Sequence, residues 1–344
     1  MSRRRFLKAS ALVGASAVTG GLGAGAANAQ QKAPSSATGR PIRILMGGYG
    51  PSTTGFSLAL KRIGDRLEAK FGDEVDVKYV YNILDLGYRG EDIMWLVEDG
   101  VLTLGYQSSS YLTKRVPALG VADLPFLFTD TPGARAAMDG GFGRALTAEI
   151  EGAMNYRILG YFENGFRHVS NRVRPIHTPA DMKGLKIRVL PSKIQARTFE
   201  LLGADPKIMD LSEAIVAIKA GTLDAQENPF ANTVTYGIYK YHRFHTKTSH
   251  FYLSRPIFVH RPAFEAWPAA LQAEMQAAIG DAVAFQRDLH IKEEKEAAAT
   301  IRESGGEIVE LTPEQHQEFV TAVKPIYAEA RAQYSPELLE LVNL

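Results

Sequence analysis

The chain has 344 residues, 45% of them hydrophobic and 22% charged, a balance that excludes a disordered or collagen-like protein. Its 39 basic and 38 acidic side chains leave no large excess charge to hold nucleic acid or an anionic membrane. Cysteine is absent, which removes disulfides, thiolate zinc sites, iron–sulfur clusters and cysteine nucleophiles.

The chain opens on Ser2-Arg3-Arg4-Arg5-Phe6-Leu7-Lys8, runs through an Ala/Gly/Ser/Val-rich stretch and reaches Ala27-Asn28-Ala29. A basic head, a weakly apolar middle and a small-x-small end describe a cleavable signal peptide over residues 1–29. Arg3 and Arg4, followed by Phe-Leu-Lys, give it the look of a twin-arginine (Tat) signal, which exports folded cargo to the periplasm. Cleavage after Ala29 removes basic side chains and no acid, so the mature chain is mildly acidic. Gly21-Leu22-Gly23-Ala24-Gly25-Ala26 fits a nucleotide-loop pattern, but no strand precedes it and it falls in the discarded segment.

Residues 30–40 read as a linker and 42–46 as a strand. Phe56, Leu60, Ile63, Leu67 and Phe71 then recur at helical spacing, with Lys61, Arg62, Asp65 and Glu68 on the other side. Val75, Val77, Tyr79 and Tyr81 alternate as a strand; a helix over 90–98, a stop at Gly100 and a strand over 101–106 follow. The same order returns later. Leu185, Ile187 and Val189 alternate, and a helix runs from Ser192, with Gln195 at capping-box spacing, to Leu202. A strand at 207–210, a helix from Ser212 to Gly221 and a strand at 222–225 complete the second unit. Two such units predict two α/β lobes, which bind ligands at the carboxyl ends of their strands. A strand-like run covers 251–260, and Pro268 opens a helix to about residue 304, roughly 50 Å long and suited to brace both lobes. A strand over 307–311, a helix capped by Thr312 and Gln315, and a short helix from Ser335-Pro336 end the chain.

Enzyme signatures are scarce: the mature chain has no nucleophile elbow, P-loop, H-E-x-x-H or EF-hand pattern. His242, His245 and His250 lack a nearby acidic ligand and read as packing or surface histidines, so no metal and no cofactor is expected. Arg188 stands on the strand face opposite Leu185, Ile187 and Val189. Its guanidinium can meet a carboxylate with two parallel hydrogen bonds, though from spacing alone a surface salt bridge fits equally well.

Asn164-Gly165-Phe166-Arg167, Asp181-Met182-Lys183-Gly184-Leu185-Lys186-Ile187-Arg188-Val189 and Gln226-Glu227-Asn228-Pro229 together resemble the solute receptors of TRAP (tripartite ATP-independent periplasmic) transporters. Pro125-Phe126-Leu127-Phe128 and the long helix fit the same family, and the resemblance runs from Ile42 to the C-terminal helices. It implies a periplasmic-binding-protein architecture: two lobes, each a mostly parallel sheet flanked by helices, joined by strands that cross between them. The implied division is 41–164 with 254–293 as lobe I, and 165–253 with 294–344 as lobe II. The implied function is capture of a small organic acid between the lobes and delivery to the TRAP membrane permease subunits. Arg188 would form the salt bridge to the ligand carboxylate, Arg167 a second contact, and Asn228 a hydrogen bond. In the first lobe this chain offers Tyr88, Tyr106, Gln107 and Ser109 where family members often place charged contacts. The receptor is expected to be a monomer rather than a dimer, without nucleic acid. An exported enzyme or a ligand receptor for a sensor kinase on the same fold is the alternative.

Overall fold

The computed structural model describes residues 39–344; the expected signal peptide, with Arg3 and Arg4, lies outside the described residues. β1 (Ile42–Gly47) pairs in parallel with β2 (Val75–Val80), and α1 (Gly55–Phe71) joins them, burying Phe56, Leu60, Ile63 and Leu67. α2 (Asp92–Glu98) leads to β3 (Leu104–Tyr106), which is shorter than the predicted strand. Gly100 takes φ +74° and the Leu102 N–H donates to Leu96, so residues 101–103 turn out of α2 before pairing begins.

After α3 (Thr131–Asp139) and α4 (Gly141–Ala153) comes a strand that periodicity does not show, β4 (Tyr156–Asn171). It is buried along both faces and carries Glu163, Asn164, Arg167 and His168 inside, so neither alternation nor an apolar run marks it. β5 (Lys186–Val189), α5 (Lys193–Leu201), β6 (Asp205–Ile208), α6 (Leu211–Lys219) and β7 (Ala225–Asn228) form the second unit. β6 and β7 are displaced from the predicted spans. Asp210 leaves the sheet to cap α6, accepting from the Ser212 N–H at 2.8 Å, and Thr222 is tied back to Ala217 in a turn. α7 (Phe230–Thr235) precedes β8 (Phe244–His260), which starts seven residues before the predicted run. α8 (Arg261–Ala266) and α9 (Ala269–Glu303) follow, then β9 (Glu307–Glu310), α10 (Pro313–Ala322), α11 (Pro325–Gln333) and α12 (Pro336–Glu340).

The sheet order is β2-β1-β3-β8-β4-β7-β5-β6, with β9 on β8. Two parallel triplets, β2-β1-β3 and β6-β5-β7, therefore flank one long antiparallel pair, β4 and β8, which runs through both. The pair is bulged between Glu163 and Gly165. Gly165 sits there at φ +80°, and a Cβ would lie 2.3 Å from His290 Nε2, so only glycine fits. α9 is 35 residues long and touches α1 and β4 as well as α7 and β9. Two adjacent side chains pin it. Glu293 accepts from the Gly55 N–H at the start of α1, and Glu294 from the Phe230 and Ala231 N–H groups at the start of α7.

The Ser192 cap of α5 forms, but Gln195 does not reach back to close a capping box. Its Nε2 donates instead to Ser110 Oγ at 2.9 Å and Asp123 Oδ1 at 3.2 Å, stitching the two units together. Burial pushes the Asp123 carboxyl up to about 6, against the hydrogen bonds from Ser110 and Gln195. A carboxyl raised from 3.8 favours the folded state when protonated, so its contribution is complete below pH 3.8 and is lost as pH rises through 6. Across that window Asp123 should cost the protein about 3 kcal/mol. Urea unfolding of wild type and Asp123→Asn should therefore diverge between pH 4 and 7, with the variant flatter; parallel curves would refute the assignment.

Candidate functional site

The carboxyl ends of the parallel strands meet the middle of β4 and β8, and two narrow voids of about 20 Å3 each open there. One is lined by Tyr49 after β1, Gln107 and Ser108 after β3, Leu190 after β5, Asn228 ending β7, and by Arg167, Arg188 and Arg255. Larger hollows of about 520 and 460 Å3 lie elsewhere and take in neither Arg188, Arg167 nor Asn228.

Arg188 is 2% exposed, and no carboxylate among the described residues pairs with it. Its Nε donates to the Met209 carbonyl at 3.1 Å and its Nη2 to the Tyr111 hydroxyl at 2.9 Å, which hold the guanidinium plane still. Tyr111 Oη also accepts from the Leu211 N–H at 3.1 Å. Burial pushes the Tyr111 hydroxyl up to about 12 despite the pull of Arg188, so it keeps its proton at neutral pH. With both acceptor positions filled, that proton is available to an acceptor in the void.

Arg167 is the reverse case. It is 1% exposed and forks onto Glu227, itself fully buried, with Nη2 also donating to Asn228 Oδ1 and Nη1 to Asn164 Oδ1, both at 2.9 Å. Burial would raise the Glu227 carboxyl, but Arg167 and His250 outweigh it and hold it below its ordinary range. The pair cancels its own charge while Arg167 and Asn228 still line the void. Asn228 Nδ2 is committed to Gln226 Oε1.

The first-unit residues divide. Gln107 lines the void but uses its amide locally, donating to the Gly90 carbonyl and accepting from the Ser108 N–H. Tyr106 lines the second void and stacks on Phe56 with ring centroids 5.3 Å apart. Tyr88 is 38% exposed against Trp95 and lines neither void. Ser109 is buried and lines neither; its neighbour Ser108 does, with an Oγ that has no partner among the described residues. Sequence reasoning also missed Tyr111, Tyr236 and Arg255. Only Arg255 left a signal, as a lone cation inside an apolar strand run. His242, His245 and His250 are buried: His242 Nδ1 pairs with Ser170 Oγ, and His245 Nε2 with the His242 carbonyl.

A family model, DctP, described as bacterial extracellular solute-binding protein, family 7, matches residues 46–333. The chain belongs to that family. Among its relatives is the 2,3-diketo-L-gulonate-binding periplasmic protein YiaO of Escherichia coli, 29% identical over 76% of this chain and 79% of that one. A TRAP periplasmic solute-binding protein from Bordetella, with density assigned to pantoate, has a TM-score of 0.82 at 26% identity, covering 88% of this chain and 98% of that one. The sugar-acid-binding protein DctPAm of Advenella mimigardefordensis, in complex with galactonate, has a TM-score of 0.84 at 24% identity, over 88% and 97%. The fold of this DctP-family chain is thus the two-lobe fold of these receptors, with β4 and β8 as its crossing strands.

Proposed function

We propose that this chain is the periplasmic receptor of a TRAP transporter, a monomer that captures a small organic acid behind Arg188 and delivers it to the membrane permease without covalent chemistry. The observation that carries this reading is Arg188 itself: a buried guanidinium, fixed by Met209 and Tyr111, facing a void with no acid of its own. A ligand carboxylate supplies the missing charge, and the Tyr111 proton and Ser108 Oγ add polar contacts. Arg167 and Asn228 stand beside it as further contacts. The relatives support an acid as cargo, since YiaO is named for 2,3-diketo-L-gulonate and the Advenella structure holds galactonate.

Entry requires the walls to part, because a 20 Å3 void admits little more than a water molecule. The bulge at Glu163 and Gly165, opposite Ser254 and Leu253, supports lobe boundaries at 164/165 and 253/254. Glu293 and Glu294, gripping α1 and α7, support the third at 293/294. Asp210, which accepts from the Gly90 and Glu91 N–H groups at 3.2 and 3.0 Å, would latch the lobes when they close.

A thermal-shift screen of organic acids against their primary amides tests this reading. At least one acid should raise the melting temperature where its amide does not, because only the native state holds the ligand. Shifts from amides and acids alike would refute the carboxylate assignment. For export, replacing Arg3 and Arg4 together with Lys should leave precursor in the cytoplasm, whereas undiminished periplasmic delivery would place the chain on the general secretory route.

A further inference from the structure

Arg255 is 4% exposed in the middle of β8. Its guanidinium lies 4.1 Å from the Phe56 ring centre and 4.9 Å from that of Tyr49, and Tyr236 lines the same voids. Its Nε is buried and has no hydrogen-bond partner among the described residues. Among the described residues no carboxylate forms an ion pair with it; Glu293 lines one of the same voids, but the Gly55 N–H occupies its Oε1. Arg255, Tyr49 and Tyr236 form the wall shared by the two voids, and Arg188 lines one of them.

Glu227 cancels Arg167, but among the described residues no carboxylate forms an ion pair with Arg188 or Arg255, and the acid that shares a void with Arg255, Glu293, is already held at one oxygen by the Gly55 N–H. A buried cation without a counter-charge is unfavourable, and aromatic faces offset only part of the cost. One carboxylate on Arg188 answers one of the two cations and leaves Arg255 without an ion pair, with Glu293 as the acid in its void.

We propose that Arg255 is the pole of a second oxyanion subsite: the bound acid carries, beyond the carboxylate on Arg188, a second anionic oxygen group that Arg255 takes. The inference rests on the Arg188 reading above. It makes the preferred ligand a bis-anionic acid, with Phe56, Tyr49 and Tyr106 packing its carbon frame at the Arg255 end.

Titration calorimetry with matched acids tests it: butyrate and succinate, valerate and glutarate, galactonate and galactarate, each pair equal in carbon number but differing in carboxylate count. In at least one pair the diacid should bind wild type about tenfold tighter or more. Arg255→Gln should shrink that preference to about threefold or less, weakening the diacid by a larger factor than its matched monoacid, and Arg255→Lys should keep part of it. Equal binding within every pair, or a preference that survives Arg255→Gln, overturns the second subsite and leaves the Arg188 reading standing. No acid binding at all overturns both. If Arg255→Gln fails to fold, the wild-type pairs and Arg255→Lys decide: a diacid preference that Arg255→Lys retains in part supports the subsite, and equal binding overturns it.

Discussion

Arg188→Ala should weaken acid binding by about 30- to 5000-fold while the protein stays folded. Removing one partner of a desolvated, hydrogen-bonded charge pair costs roughly 2–5 kcal/mol of affinity, which sets that range. The apo fold should tolerate the change. Loss of the guanidinium takes one donor each from the Met209 carbonyl and the Tyr111 hydroxyl, which keeps the Leu211 N–H, and it also removes a buried cation that pairs with no acid among the described residues. Arg188→Lys keeps the charge and loses the planar fork that spans Met209, Tyr111 and a carboxylate, so it too should bind poorly. Calorimetric titration of the three proteins measures this. An Arg188→Ala protein that binds within a few-fold of wild type would place the clamp elsewhere.

Arg167 should behave in the opposite way, with stability as the larger casualty. Truncating Arg167 to Ala strands the Glu227 carboxylate in a site with no solvent exposure, at a cost of about 3–5 kcal/mol. Arg167→Met combined with Glu227→Leu should recover much of that loss, because neither charge is then left buried alone. The pair also carries a pH signature. Glu227 is held below its ordinary 4.5, so its contribution is complete above that value and is lost as pH falls through the lowered folded-state value. Denaturant melts at pH 7 and in acid would show it. A double variant no more stable than Arg167→Ala, or a single variant as stable as wild type, would contradict the ion-pair role.

How much of this was legible in the sequence depended on how local the cause was. α1 was readable because five apolar residues recur at helical spacing, and the Thr312 cap because both of its partners lie within four residues. β4 was not, because it is buried on both faces and Glu163, Asn164, Arg167 and His168 interrupt its apolar positions. Asp210 shows the limit of a strand pattern: its carboxylate serves a helix start, and that ends β6 early. In the site, Arg188 could be found as a cation on an otherwise apolar strand, but Tyr111, which orients it, lies 77 residues away and carries no local mark. Tyr88 and Ser109 illustrate the cost of working from segment position alone. Side-chain direction, which sequence does not give, turned Tyr88 toward Trp95 and put Ser108 rather than Ser109 at the void. The charge of Arg167 was legible; its neutralisation by Glu227 needed β4 and β7 to be paired.

The most direct measurement is a crystal structure of the protein with the tightest-binding acid from the thermal screen. The account predicts a ligand carboxylate oxygen within about 3 Å of an Arg188 Nη atom and another oxygen at the Tyr111 hydroxyl, with Arg167 still forked onto Glu227. A carboxylate seated away from Arg188, whose guanidinium still meets only Met209 and Tyr111, would contradict it.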